Sequence, residues 1–468
     1  AFTMGQSVAY GGTYNVSVTG QPSGETCTVS NGSGTNVQAN VTNVAVSCSP
    51  NTYTIGGSIQ GLASGQQVTL YNNGADPVTV TANGNFTFPA PVAVGTSYNV
   101  TIGTQATQQN CVVYSGSGSN VSANVTSVLV NCSSAVFVSD SGSPTVYSFS
   151  VQSNGTLAPA GIGYQSLDNN GAGVALSADK HYLYVAIPGS SLIDAFVVGS
   201  DDSLTPMATP SVPSLSGVSA LATSPDGNYL FAAGGNQVQT YTISNGALTS
   251  VGTYSTSLSA ALGVTVSNDS TRVFIIGQAG GSTDTSIIDD VIGSGGVLTS
   301  LKTLSLLGIA ANTLAPAYLV EDATNNYLFY SAQNAYGWAG LAGGDLSGNV
   351  ATYNAASDTF TGLALNPGQT NLYAGMFNTG SVWQMTWDGT TLTTMTPSNV
   401  PGGNQGVSDL AMTKDGAYLY TTDTTSGFIS QYVVGSGGAL SLNSTATFAT
   451  LSSPFTIGMP QPYGIAVK

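Results

Sequence analysis

Ser224-Pro225-Asp226-Gly227-Asn228-Tyr229-Leu230-Phe231 couples a polar turn to the start of an aromatic strand, and the chain repeats it. Two other copies are plain: Ser177-Ala178-Asp179-Lys180-His181-Tyr182-Leu183-Tyr184 and Thr413-Lys414-Asp415-Gly416-Ala417-Tyr418-Leu419-Tyr420. Weaker copies run through Asn268 to Phe274, Asn325 to Phe329 and Asn366 to Tyr373. With Phe137 at the start, the matching aromatics are Phe137, Tyr184, Phe231, Phe274, Phe329, Tyr373 and Tyr420, seven units with a period near 47 residues. Seven units with room for about four short strands each predict a seven-bladed β-propeller over residues 135–468. The ends of this region predict its closure. Tyr463-Gly464-Ile465-Ala466-Val467 matches the strand that precedes the turn in other copies, and Ala135-Val136-Phe137-Val138 begins with the aromatic strand that should follow it. One blade is then built from both ends, which leaves no open sheet edge.

The phrase Ser-Pro-Asp-Gly-Asn-Tyr-Leu-Phe, strands such as residues 237–243, and Gly-x-Leu turns at Gly155, Gly246 and Gly438 resemble the lactonase-like, YVTN-repeat propeller family. The resemblance spans about 330 residues. It implies the fold and leaves activity open, because the family includes both sugar-lactone hydrolases and non-enzymatic surface proteins.

Before residue 135 a different repeat governs. An offset of 84 aligns residues 1–50 with 85–134 without a gap, and 24 of the 50 pairs are identical. Residues 51–84, in which 53–59, 67–71 and 78–81 read as strands, have no counterpart in the first copy. The second copy reads as a small β-sandwich of about seven strands and the first as its later portion, so the expected domains are 1–50, 51–134 and 135–468. Gly84-Asn85-Phe86-Thr87-Phe88, followed by Gly95 and the strand from Tyr98, resembles prealbumin-like and other immunoglobulin-like modules of bacterial surface proteins. The apolar residues Phe2, Val16 and Val18 of the first copy are expected to form an open assembly edge.

Only 5 basic and 21 acidic residues occur among 468, a charged fraction of 6% where about 25% is usual. The net charge of −16, with no basic cluster, excludes nucleic acid and anionic membrane surfaces as partners. No apolar run is long enough to cross a bilayer, and residues 1–10 lack the basic and apolar regions of a signal peptide, so a processed or truncated chain is expected. Cys27 and Cys48, like Cys111 and Cys132, are 21 residues apart, one pair per repeat. With no further ligand nearby for zinc, two disulfides and an extracellular or cell-surface location are expected. The sequons at Asn15, Asn40 and Asn124 are candidate glycan sites, although this composition generates many by chance.

Candidate chemistry is sparse. His181 and Arg272 are the sole His and Arg; His181 reads as a turn residue, and Arg272 as strand cover or a partner of Asp269. The acidic pairs Asp201-Asp202, Asp289-Asp290 and Glu321-Asp322 would suit Ca²⁺ or acid/base work but read better as solvated turns. Glycine-rich residues 277–281 and 293–296 lack the Lys-Ser/Thr of a phosphate loop. Tyr336, Trp338, Trp383 and Trp387 can stack on sugars or pack blades. On this reading no catalytic, metal or cofactor site is expected. The leading expectation is a non-enzymatic extracellular structural protein, a self-associating subunit of a filament, sheath or surface layer. The alternative is a secreted lactonase-like hydrolase or carbohydrate-binding propeller.

Overall fold

The computed structural model describes all residues except 1, 64, 107–110, 153, 311–317, 334, 343, 355–357, 403–405, 426 and 444–461. The described residues are all-β apart from short turns of 3₁₀ helix. Two compact units result: Ala1–Ala106 with Val113–Cys132, and Ser133–Lys468 together with Thr107–Val112.

In the first unit, the complete repeat forms two four-stranded sheets. One has the order Ser117–Gly118, Tyr98–Thr104, Val68–Asn72, Asp76–Val80; the other Val112–Tyr114, Val125–Asn131, Ile55–Gln60, Gly84–Thr87. A further short pair, Thr52–Tyr53 with Val92–Ala93, brings the strands of this repeat to ten among the described residues, where about seven were expected, because several two- and three-residue segments pair at the sheets' margins. Tyr98–Thr104 alternates as predicted, with Val100 buried and its neighbours Asn99 and Thr101 exposed. The first repeat has half of each sheet: Tyr14–Asn15 pairs with Ser33–Gly34, and Glu25–Ser30 with Ala45–Pro50. Cys27 and Cys48 face each other across the second pair and are joined by a disulfide. Cys111 and Cys132 are also disulfide-bonded, and no cysteine is free.

The second unit is the propeller. Seven four-stranded antiparallel sheets follow one another among the described residues, and the first combines Pro462–Val467 with Ala135–Asp140, Thr145–Val151 and Leu157–Ser166. Blade 1 is therefore closed by the two ends of the region, with Phe137 opposite Ala466. The innermost strands touch in an unbroken ring around a central channel.

The recurring phrase makes the inner turn of blades 2 to 7. Ser224 Oγ donates to Asp226 at 2.5 Å and accepts the Tyr229 N–H at 2.9 Å, while Asp226 accepts the Asn228 N–H. Ser177-Asp179, Ser267-Asp269 and Thr413-Asp415 repeat the arrangement. In blades 5 and 6 a single side chain does both jobs: Asp322 accepts from Asn326 and Tyr327, and Asn366 from Thr370 and Asn371.

Each phrase also delivers its aromatic to the junction with the next blade. Apolar clusters fill all seven junctions, as where Tyr420 and Ile429 of blade 7 meet Val136, Val138 and Phe149 of blade 1. Three of the aromatics add a hydrogen bond to the next blade's Gly-x-Leu turn: Tyr184 to the Gly246 carbonyl, Tyr373 to Gly438 and Tyr420 to Gly155, at 2.7–3.0 Å. Gly155 needs its glycine twice over, for a φ of +80° and because a Cβ would run into the ring of Tyr418. At the closure, Lys468 Nζ forms a buried ion pair with Asp202, which also accepts from Ser133 and Ser150.

Tyr420→Phe, which removes only the hydroxyl bound to Gly155, should lower stability by about 1 kcal/mol in urea unfolding, whereas Phe231→Tyr, at a position without such a bond, should gain nothing comparable. Non-reducing peptide mapping should recover Cys27 linked to Cys48, a cross-link worth about 3 kcal/mol by loop entropy.

Candidate active site

Four residues before the turn side chain of blades 2 to 7, which is Ser177, Ser224, Ser267, Asp322, Asn366 or Thr413, and four before Lys468 in blade 1, one residue per blade takes the equivalent place around the channel. These are Gly464, Gly173, Ala220, Gly263, Tyr318, Gly362 and Asp409 in blades 1 to 7. Five are glycine or alanine, which lets the strands approach closely. A Cβ on Gly362 would lie 2.6 Å from the Leu410 nitrogen and 2.9 Å from Asp409 Cα. The two exceptions are polar, and they meet: the Tyr318 hydroxyl of blade 5 is hydrogen-bonded to the Asp409 carboxylate of blade 7.

Asp409 is 9% exposed. Its Oδ1 accepts the Leu410 N–H at 2.7 Å and its Oδ2 the Ile465 N–H at 3.1 Å, so it ties blade 7 to blade 1 as well. Burial pushes its carboxyl up to about 7, against these hydrogen bonds, which favour the ionised form. Tyr463, the neighbour of Gly464, stands close enough to feel that charge, and burial followed by Asp409 raises its hydroxyl. Its backbone is fixed from both sides: the Thr422 and Ser408 hydroxyls donate to its carbonyl at 2.8 and 3.2 Å, and the Gly464 N–H donates to Ser139 Oγ. One register step away, Asp423 is fully buried, accepts from Ser430 and Thr421, and is raised by burial to about 7. A carboxyl titrating near neutrality beside two tyrosine hydroxyls can exchange a proton with a small ligand and donate hydrogen bonds to its oxygens.

The residues singled out from sequence lie elsewhere. His181 is in the turn at the far end of the inner strands, 3.4 Å from Asp179, whose carboxyl is held down to about 2 by hydrogen bonds from His181 and Ser177 despite burial. Arg272 pairs with Asp345 of the next blade, not with Asp269. The acidic pairs are not solvated turns throughout. Asp202 is in the closing ion pair, and Asp289 and Asp290 are buried on a strand, where Asp289 accepts the Leu346 N–H of the next blade at 2.9 Å. Glu321 accepts the Asn268 N–H at 2.6 Å and burial raises it to about 7, while its neighbour Asp322 caps a turn. Trp338 and Trp387 are buried edge to face, 5.3 Å apart, as blade packing. Among the described residues no group of three or more His, Cys, Asp or Glu is placed to hold a metal ion.

Asp409 was missed because no motif surrounds it, yet the sequence marks it. Gly217-Val218-Ser219-Ala220-Leu221-Ala222 in blade 3 becomes Gly406-Val407-Ser408-Asp409-Leu410-Ala411 in blade 7: the same phrase with one carboxylate where a methyl should be.

No family model matches the chain, and no curated protein matches it. Solved structures do. A putative 6-phosphogluconolactonase from Bacteroides uniformis superposes with a TM-score of 0.58 at 15% identity, over 72% of this chain and 99% of that one. The periplasmic gluconolactonase of Pseudomonas aeruginosa gives 0.55 at 12% identity, over 72% and 99%. A protein from Lactobacillus plantarum gives 0.58 at 14%, with the same coverage. The propeller has the lactonase-like fold. These structures overturn the expectation of a non-enzymatic filament, sheath or surface-layer subunit: the fold is shared with proteins named as lactonases. The expectation rested on tandem modules, disulfides, sparse charge and the lack of an evident catalytic constellation, and Asp409 with Tyr318 lay outside the groups considered for one.

The raised carboxyls have a consequence for stability. An acid whose folded value lies near 7 and whose unfolded value is about 3.9 holds its proton longer in the folded state, so stability falls as pH rises from about 4 to 7 and then levels. Asp409→Asn should flatten that decline in denaturant titrations across the interval, with Asp423→Asn giving a second, separate decrement.

Proposed function

We propose that this protein is a lactonase-like hydrolase that opens uncharged sugar lactones in the propeller channel, outside the reducing cytoplasm. The observation that carries the reading is Asp409, a carboxyl near neutrality hydrogen-bonded to Tyr318 in a layer otherwise made of glycine and alanine. At neutral pH its ionised fraction takes a proton from water as the water oxygen bonds to the lactone carbonyl carbon. A tyrosine hydroxyl, Tyr318 or Tyr463, donates to the oxyanion that forms. When the ring C–O bond breaks, the proton on Asp409 passes to the departing ring oxygen, and the product is the open hydroxy acid.

The preference for an uncharged substrate rests on where the cations are. All five basic residues are committed elsewhere or far from this layer: Lys180 and Lys414 are in the turns at the opposite end of the inner strands, Arg272 pairs with Asp345, Lys302 with the Leu346 carbonyl, and Lys468 with Asp202. Asp409 and Asp423 would repel a phosphate. The disulfides, and the periplasmic location named for the Pseudomonas aeruginosa protein, support a secreted or periplasmic setting. We read residues 1–50 and 51–134 as immunoglobulin-like modules appended to the catalytic propeller at 135–468.

Purified protein should hydrolyse an unphosphorylated aldonolactone faster than its 6-phosphate in a proton-release assay, with a rate that rises through an apparent pKa near 7. Asp409→Asn should cost about 10² to 10⁴ in kcat and abolish that rise, with Tyr318→Phe losing less. No acceleration by the unaltered protein, or full activity in Asp409→Asn, would sink the reading.

A further inference from the structure

We propose that Lys468 and Asp202 join covalently, Nζ to Cγ, in an amide cross-link that locks the closing strand of the propeller to blade 2. At this junction the repeat is broken at three positions together. Asp202 opens the turn Asp202-Ser203-Leu204, where blades 1, 3, 4 and 7 have Gly155, Gly246, Gly296 and Gly438. It keeps their left-handed backbone, with φ +65° against +78° to +83°, a conformation that costs an aspartate more than a glycine. Lys468 follows Val467 where Ser177 follows Leu176, so a lysine takes the place of the hydroxyl that fixes the turn in blades 2, 3 and 7. Ala135 stands two residues before Phe137. In the same place Tyr182, Tyr229 and Tyr418 would collide with a Cβ on the next blade's turn glycine, so the small residue makes room for the Asp202 side chain.

The surroundings suit an amide better than two charges. The side chains of Lys468 and Asp202 are 0% and 2% exposed, although they lie 266 residues apart in the chain. An ammonium brings three N–H donors, and among the described residues Asp202 Oδ1 is the one acceptor that Lys468 Nζ meets. Burying that ion with two donors unspent is costly, whereas an amide keeps a single N–H. The carboxylate is divided in the same sense. Oδ2 accepts from the Ser133 and Ser150 hydroxyls at 3.2 and 3.1 Å, and Oδ1 faces Nζ.

Burial raises the Asp202 carboxyl against the pull of Lys468, which favours its protonated, more electrophilic form. A proton passes from Nζ to Oδ1, and the neutral amine is then a nucleophile. Nζ bonds to Cγ while the two serine hydroxyls hold the oxyanion on Oδ2. The Cγ–Oδ1 bond breaks, and Oδ1 leaves as water with two of the three ammonium protons. Ammonium and carboxylate thus become amide and water with no other reactant.

Mass spectrometry of the reduced protein tests this. The expected mass is one water below that of the sequence. Trypsin, which can cut only after the five basic residues, should release residues 181–272 joined to 415–468, with fragment ions placing the link at Asp202 and Lys468. Lys468→Arg keeps the charge but should restore the full mass and separate the two peptides. The proposal is overturned if the unaltered protein has its full sequence mass, which would leave only an ion pair. It is also overturned if the water is lost within 181–272 alone, as a succinimide would give, or if Lys468→Arg still lacks it.

Discussion

The propeller depends on one repeated constraint: the second strand of each blade must bury its aromatic residue in the junction with the next, and the seventh junction must close on the first. Tyr420 does this at the closing junction, with its ring among Val136, Val138 and Phe149 and its hydroxyl on Gly155. Everything nearby serves that contact. The turn hydroxyl and its aspartate fix the start of the aromatic strand, the turn glycine of the next blade makes room for it, and Pro462–Val467 supplies the inner strand that would otherwise be missing. Pairing Pro462–Val467 with Ala135–Asp140 covers the inner edge that blade 1 would otherwise expose and closes the ring of blades, leaving only the short outer edge of each sheet.

The low charge of the chain follows from how its acids are employed. Asp179, Asp226, Asp269 and Asp415 satisfy turn N–H groups, Asp202 neutralises Lys468 at the closure, and Asp289 accepts a backbone N–H of the neighbouring blade. These are tasks that a hydroxyl or an amide can share, and Gln384 does share one: it accepts the Leu440 N–H of blade 7 from the same place on its strand that Asp289 holds in blade 4. Asp409 differs because its sister positions are glycine or alanine, with Tyr318 its partner. Its two backbone bonds would be a structural role if burial did not keep its carboxyl near 7, which leaves it able to give or take a proton.

The fold was legible because its signals are local and repeated. Aromatic, turn and glycine positions recur at a near-constant period, and the two incomplete ends match each other. Arg272 was misassigned because its partner, Asp345, lies 73 residues away on the next blade, beyond any local pattern. Asp289 and Asp290 read as turn residues because paired acids usually are, and their burial became visible only with strand register in hand. The channel site escaped for a related reason. Tyr318 and Asp409 are 91 residues apart and belong to blades 5 and 7, so only a closed ring brings them together. Their signature is a departure from a repeat, which becomes visible once the seven inner strands are aligned by position.

The two N-terminal repeats show how little of a strand resides in its own sequence. Val41-Thr42-Asn43-Val44 and Val125-Thr126-Ser127-Val128 differ at one position, and the residues flanking them are nearly the same. Yet residues 125–128 belong to a strand and residues 41–44 do not, while the strand that follows in the first repeat begins only at Ala45. Propensity cannot account for this, since it is shared. The difference is the parallel partner: Ile55 stands opposite Val125 and Ile59 opposite Val130, and those contacts turn a β-permissive segment into a buried strand. In the first repeat the disulfide Cys27 to Cys48 holds two paired strands together with no third strand beside them among the described residues. A covalent link fixes which strands are neighbours, but only a third strand can remove their apolar faces from water.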